Sequence, residues 1–243
     1  MKENFKKIIL VLVFMFLLKS MAVGATSLYY TNSNGVVLTQ EEYEFVSEMF
    51  WEGFQKLMTV EDYNEIFEED VLDKDITTKI YTEYNPIYTR GTQFTSPYKS
   101  IKISKSCVSN CLVTVTVDWT SIPTIKSYDV IGAYLKDTSL VSSPVTKATT
   151  SSVSQSSTTI KSDTNGFGVS IKLPSGANLM VTQYYKVSLG GHVYASYQHA
   201  NQNISLANSQ KYTISRSGYG GVFLFNSPYN SYYDGMTGVD IEL

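Results

Sequence analysis

Residues 166–200 read GFGVSIKLPSGANLMVTQYYKVSLGGHVYASYQHA, and this stretch decides the fold. At its start, Val169 and Ile171 alternate with polar residues, which is the period of a strand that buries one face. Turn sequences at residues 174–176 and 190–191 divide the stretch into three successive strands. Because the connections are short, we expect these strands to be antiparallel neighbours in a β-sandwich or barrel.

Alternating or apolar segments also lie on both sides of this stretch. From Ile76 to the C-terminus they predict about ten strands, which suits two packed sheets. The sequence therefore predicts a mainly β protein, an antiparallel, jelly-roll-like β-sandwich over residues 76–243. Residues 85–98 are predicted to form a surface loop. Residues 139–159, where 13 of the 21 residues are Ser or Thr, are compatible with either a mobile loop or an edge strand.

A short α-helical hairpin is predicted ahead of the sandwich, within residues 26–75. Thr39 and Glu42 have the spacing of a capping box, and Thr59 and Asp62 repeat this signal at the start of a second helix. Apolar residues recur at intervals of three and four after each cap. Helices this short depend on packing their apolar faces, so we expect the hairpin to cover part of the β domain or to dock a partner.

The first 25 residues have the pattern of a cleaved signal peptide. Three lysines precede an apolar run over residues 8–18, and residues 23–25 offer small residues for a cut after Ala25. This apolar run is too short for a membrane span, which needs about 20 residues. The sequence therefore predicts a protein that is secreted or displayed on the extracellular surface.

Charge is distributed unevenly along the chain. Residues 26–85 contain 14 acidic residues and three lysines, a net charge of −11, whereas residues 86–243 contain seven acidic and 12 basic residues, a net charge of +5. The acidic part is expected to be a solvent-exposed helical face. The alternative is that the two parts attract each other, either within one molecule or between copies of a self-associating structural surface protein. Only two of the basic residues are arginines, so no nucleic-acid partner is predicted.

The two cysteines, Cys107 and Cys111, flank a predicted turn between two strands. In an exported protein this arrangement favours a disulfide bond. Three residues separate the cysteines, which is not the spacing of a redox centre, and the neighbouring sequence lacks further metal ligands. The sequence predicts no metal and no cofactor.

No catalytic motif is evident in the sequence. The two histidines, His192 and His199, are seven residues apart on one predicted strand, so they point to opposite faces and do not share a metal ion. Asp129 is expected at a strand end rather than in the core. A non-catalytic protein is predicted, because spacing selects no hydrolytic pair from the candidate acidic residues in the β region, Asp118, Asp129, Asp234, Asp240 and Glu242.

Tyrosines are frequent between residues 184 and 233. Their rings and hydroxyl groups suit contacts with sugars or protein surfaces. Tyr184 and Tyr194 are the predicted ligand-binding residues, because polar residues such as Thr182 and Ser196 share their strand faces and indicate solvent. The leading hypothesis is a secreted, non-catalytic binding or adhesion module that recognises a glycan or a surface protein through these tyrosines.

A second hypothesis is a membrane-active protein of the β-pore-forming type. Residues 139–159 would then pair with residues 161–173 as an insertable hairpin. Because residues 139–159 lack the alternating apolar face of a lipid-exposed strand, a membrane partner is not favoured.

Overall fold

The computed structural model describes residues 29–51, 53–67, 75–89, 92–216, 222–234 and 237–243. The predicted signal peptide, residues 1–25, lies outside the described residues. The N-terminal elements are β1 (Tyr29–Thr31), β2 (Val37–Thr39), α1 (Gln40–Met49), α2 (Phe54–Leu57) and α3 (Val60–Phe67). The β domain contains β3 (Thr77–Thr89), β4 (Thr92–Cys107), β5 (Cys111–Trp119), β6 (Tyr128–Lys136), β7 (Val145–Thr149), β8 (Ser154–Ser157), β9 (Ile160–Asp163), β10 (Gly166–Lys172), β11 (Met180–Val187) and β12 (His192–Gln198). It ends with α4 (Leu206–Ser209), β13 (Tyr212–Ile214), β14 (Phe223–Phe225), a 3₁₀ helix (Tyr229–Tyr232) and β15 (Thr237–Glu242).

Two antiparallel sheets pack face to face. The six-stranded sheet has the order β3-β4-β5-β11-β7-β8, and the five-stranded sheet has the order β15-β12-β6-β10-β9. Their inner faces share one core, in which Phe167 of the five-stranded sheet meets Tyr185 of the six-stranded sheet with ring centres 4.8 Å apart. The predicted mainly β, antiparallel sandwich with N-terminal helices is confirmed.

The three strands predicted within residues 166–200 are present as β10, β11 and β12, but they are not neighbours. β10 and β12 flank β6 in the five-stranded sheet, whereas β11 lies between β5 and β7 in the six-stranded sheet. The predicted pairing is therefore wrong, and the chain crosses the core twice in this stretch. Links of seven and four residues separate the strands, and such links span the ~10 Å between packed sheets as readily as they close a hairpin.

Both predicted helix caps are confirmed. Thr39 and Glu42 form a capping box at the start of α1. At the start of α3, the Thr59 hydroxyl accepts from the Asp62 N–H at 3.2 Å, and the Asp62 carboxylate accepts from the Thr59 N–H at 2.8 Å. The hairpin contains three helices rather than two, because Gly53, with φ of 103°, turns the chain between α1 and α2.

The apolar faces of these helices cover the outer face of the six-stranded sheet. Phe50 and Phe54 pack edge-on against Tyr184 of β11, with ring centres 5.6 and 6.3 Å apart. The Tyr184 hydroxyl donates to Asp62 of α3 at 2.5 Å, and Lys147 of β7 forms an ion pair with the same carboxylate. This ion pair joins the acidic N-terminal part to the β domain within one molecule.

Tyr184 is consequently not a surface residue. Only 1% of it is exposed, and Thr182 and Lys186 on the same strand face are also buried. The polar residues mark the outer face of the sheet, as predicted, but the helices cover that face. The prediction that Tyr184 meets solvent is therefore wrong.

The C-terminal residues 200–216 and 222–233 cover the outer face of the five-stranded sheet. Tyr212 of β13 and Phe223 of β14 pack there in one cluster with Val130 of β6. Gly168 of β10 makes room for them, since a β-carbon at this position would lie 2.4 Å from the Tyr212 hydroxyl oxygen. Each sheet thus has a covering layer on its outer face.

Two segments with loop-like sequences contain strands. Residues 85–89 and 92–98 belong to the long β3–β4 hairpin rather than to a loop, and their prolines are tolerated because β5 pairs with β4 only from Lys99 onward. Residues 139–159 contain β7 and β8 at the edge of the six-stranded sheet, which supports the edge-strand interpretation. β9 and β10 pair in the other sheet.

The predicted disulfide bond between Cys107 and Cys111 is present. It closes the turn that connects β4 and β5. The two cysteines are the pair of residues of these strands that is nearest the turn. Among the described residues, none of the helices has the length and apolar character needed to span a bilayer.

Replacing Tyr184 by alanine is expected to destabilise the fold. The change opens a cavity beneath the helices and removes the hydrogen bond to Asp62, and such truncations lower the free energy of unfolding by about 3–5 kcal/mol. Urea unfolding measures the loss. Tyr81→Ala is the control, because Tyr81 is 51% exposed and its loss is expected to cost less than about 0.5 kcal/mol. Equal losses in the two variants would contradict the placement of Tyr184.

Candidate functional site

A group of polar side chains lies where the two sheets meet the C-terminal segment. Lys99 comes from β4, Asp129 from β6 and Tyr197 from β12. His199 directly follows β12, and Asp234 follows the 3₁₀ helix. We refer to these five residues as the buried polar cluster, because four of them are less than 9% exposed and the Asp234 side chain is 14% exposed.

Asp129 is the centre of this cluster. Its carboxylate accepts from the backbone N–H of Ala200 at 3.0 Å and from the Tyr197 hydroxyl, and Nδ1 of His199 lies 3.0 Å from both its oxygens. Burial, reinforced by this carboxylate, raises the pKa of Tyr197 well above its usual range. Asp129 was expected at a strand end rather than buried. It is the second residue of β6, but it is fully buried, because these donors replace water around it.

Lys99 and Asp234 form a second contact in the cluster. The Lys99 amine contacts Oδ2 of Asp234 and lies 5.4 and 5.7 Å from the ring centres of Trp119 and Tyr197. The backbone N–H of His199 donates to Oδ1 of Asp234 at 2.9 Å, and the backbone N–H of Asp234 donates to the His199 carbonyl at 2.9 Å. His199 thus connects the Lys99–Asp234 pair to the carboxylate of Asp129.

A histidine beside a carboxylate is a common general base in hydrolytic enzymes. In this cluster, however, the side chains of His199 and Asp129 are only 4% and 0% exposed. Trp119 packs edge-on against the imidazole, with ring centres 4.9 Å apart. A substrate arriving from solvent therefore does not reach this pair.

The structure separates the acidic residues that the sequence offered as candidates. Asp129 and Asp234 converge around His199 inside the protein, whereas Asp240 contacts His192 on the outer surface at 2.8 Å. The two histidines lie in different environments, but not as opposite faces of one strand, because His192 begins β12 whereas His199 follows its end and is buried. Within the described ranges, no group of three or more His, Cys, Asp or Glu side chains could hold a metal ion.

Lys99 is the cluster residue that the sequence analysis missed. It shares one strand face of β4 with Ile101 and Ile103, which are both buried in the core. The period of two therefore points the Lys99 side chain inward. A lysine at such a position signals a buried partner of opposite charge.

Tyr194 lies on the outer face of the five-stranded sheet. Its ring stacks on His192 with centres 4.8 Å apart, and the guanidinium carbon of Arg216 lies 4.2 Å from its ring centre. The ring of Tyr134 on β6 is 6.1 Å away. We refer to these four residues as the tyrosine surface; Arg216 is exposed and the other three are half-buried.

Charged groups border the tyrosine surface. His192 Nε2 lies 2.8 Å from Oδ2 of Asp240, and the Lys79 amine lies 3.5 Å from the same oxygen. The hydrogen bond with His192 is the main reason why the pKa of Asp240 is below its usual value. This contact also orients the His192 ring for its stack on Tyr194.

The two predicted ligand-binding residues do not share a site. Tyr194 belongs to the outer face of the five-stranded sheet, whereas Tyr184 lies beneath the helices on the outer face of the six-stranded sheet. Arg216 was missed because it joins Tyr194 only through tertiary contact. No local pattern in the sequence indicates this contact.

Asp129→Asn is expected to lower the free energy of unfolding by about 3 kcal/mol, because an amide NH₂ would face the donors of Tyr197 and Ala200. The shift in the urea midpoint measures this loss. Asp137→Asn is the control, since the Asp137 side chain is 79% exposed and its replacement is expected to change stability by less than about 0.5 kcal/mol. A loss no larger than that of the control would be inconsistent with the described network.

Comparison with known proteins places this chain in no family. No protein-family model matches the sequence, and no curated protein matches it. Among solved structures, it is similar to the collagen binding domain of the Erysipelothrix rhusiopathiae surface protein RspB, with 9% sequence identity and a TM-score of 0.32. The match covers 68% of this chain and 59% of that chain. At this TM-score, the similarity carries no argument about the ligand.

Proposed function

We propose that this chain is an exported, non-catalytic binding module that attaches to a surface protein through the tyrosine surface. The main support for this proposal is that Tyr194, half-buried on an outer sheet face, stacks on His192 and is contacted by the exposed Arg216. Tyrosine and arginine are enriched at the centres of protein interfaces, where a few residues supply most of the binding energy.

The side chains of the tyrosine surface are ordered before any partner arrives. Tyr134 and Tyr194 lie directly opposite each other on β6 and β12, and Asp240 holds the ring of His192. Ordering a free side chain on binding costs about 0.5–1.5 kcal/mol. Because this cost is already met in the folded protein, the patch is suited to act as a rigid anchor.

A protein fits this surface better than a glycan. A tyrosine that binds a sugar stacks an open ring face on it, but the ring of Tyr194 already has two planar neighbours. The accessible groups include the exposed Arg216 and the neighbouring charges of Asp240 and Lys79. Aromatic anchors with a charged rim are typical of protein interfaces.

The non-catalytic and exported character of the module has separate support. The histidine–carboxylate pair of the buried polar cluster is closed to solvent. The leader-like residues 1–25 support export, and the disulfide bond between Cys107 and Cys111 suits an oxidising compartment. Attachment outside the cell is the role that combines these features.

Binding of the purified chain to immobilised matrix and cell-surface proteins tests the proposal, with cell-surface glycans assayed in parallel. Saturable binding to a protein is expected. Tyr194→Ala and Arg216→Ala are each expected to weaken it by at least about tenfold, which corresponds to 1.4 kcal/mol. Tyr29→Ala is the control, because Tyr29 is 63% exposed on β1 and lies outside the tyrosine surface.

Urea unfolding of each variant separates a loss of binding from a loss of folding. Saturable binding to glycans alone would replace the protein partner with a carbohydrate. Protein binding that is unchanged in both Tyr194→Ala and Arg216→Ala would contradict the assignment of the tyrosine surface.

A further inference from the structure

Lys99 and Asp234 meet in a closed and largely aromatic environment. The Lys99 side chain is 0% exposed and the Asp234 side chain is 14% exposed, and the rings of Trp119 and Tyr197 flank the amine. Lysine is almost never buried so completely without a partner. Nζ and Oδ2 are in direct contact, although 135 residues separate the two positions in sequence.

This environment penalises charge. Desolvation penalises an ammonium and a carboxylate, and transfer of one proton from the amine to the acid removes both charges. Burial raises the pKa of Asp234 above its usual value, while the amine of Lys99 opposes that rise. A neutral amine is a nucleophile, and a neutral carboxylic acid is the form that it attacks. The contact therefore joins two groups that are able to react with each other.

The carboxyl group of Asp234 is held in one orientation. The backbone N–H of His199 donates to Oδ1 at 2.9 Å, and Nδ1 of the same histidine is fixed by Asp129. A donor on Oδ1 polarises the carbonyl group and stabilises negative charge that develops on this oxygen during attack at Cγ. Oδ2, on the side of the amine, is then the oxygen that leaves.

We propose that Lys99 and Asp234 are joined by an isopeptide bond, an amide between their side chains. Nζ attacks Cγ and the Nζ–Cγ bond forms. With the first proton already transferred from the amine to Oδ2, a second proton passes from Nζ to the same oxygen, the Cγ–Oδ2 bond breaks and one water molecule leaves. Proximity in a rigid, dry site supplies the main acceleration, and the reaction removes two charges from the interior.

The ion pair between Lys147 and Asp62 gives a comparison within the same protein. The Lys147 side chain is 12% exposed, and the Asp62 carboxylate also accepts from the Tyr184 hydroxyl and from the Thr59 N–H. These additional donors stabilise the carboxylate, and the partial exposure hydrates the amine. This second pair is therefore expected to remain an ion pair.

Mass spectrometry of the purified, folded chain tests the isopeptide bond. After reduction of the disulfide bond, the intact mass is expected to be lower by one water molecule than the sequence from the measured N-terminus requires. Trypsin is expected to release residues 91–102 and 217–243 as one cross-linked species, because the amide blocks cleavage after Lys99. Fragment ions then locate the link at Lys99 and Asp234.

Two variants serve as controls. Lys99→Arg retains a positive charge but removes the nucleophilic amine, so it is expected to have the full mass and to release residues 217–243 alone. Lys147→Arg, the matched change at the second ion pair, is expected to retain the water loss. The wild-type chain is itself diagnostic, even where a variant fails to fold. A wild-type mass that includes the water, with residues 217–243 released only as a free peptide, would overturn the proposal.

Discussion

A covering layer packs on part of each outer face of the sandwich, and this constraint determines where the buried polar groups lie. Consecutive residues on the central strands are buried on opposite sides: Tyr185 faces the core between the sheets, whereas Tyr184 faces the helices. Val130 and Ile131 of β6 are divided in the same way between the C-terminal layer and the core. A polar group on such a strand has no water on either side, so it needs a partner from the facing layer. Asp62 meets this need for Tyr184.

The buried polar cluster is a continuation of the sandwich core at one end of its strands. Lys99 is the first residue of β4 that pairs with β5, Asp129 is the second residue of β6, and Tyr197 is the penultimate residue of β12. All three side chains point inward, in phase with apolar neighbours on the same strands. At this end the core is closed by the C-terminal segment, which contributes Asp234. Because water is excluded here, the charged groups of the cluster are compensated by one another, as Lys99 is by Asp234.

The alternation of residues predicts the strands well, because a pleated strand places every second side chain on one face. It does not predict which sheet a strand joins, since both sheets bury an inner face against the same core. Thr182 and Lys186 have the same period whether water or a helix layer lies above them, which is why Tyr184 was misplaced. The buried polar cluster was beyond prediction for a similar reason: its members belong to segments that only the tertiary fold brings together.

The buried polar cluster and the tyrosine surface are linked through the same two segments. β12 presents Tyr194 outward and Tyr197 inward, and the C-terminal segment supplies Arg216 to the surface and Asp234 to the cluster. The C-terminal layer packs on the five-stranded sheet through side-chain contacts around Gly168 and Val130. A force applied to Arg216 by a bound partner would act directly on those contacts. A covalent anchor at Asp234 would keep the segment in register with β12 under such a load. The position of the tyrosine surface thus depends on the closure of the core behind it.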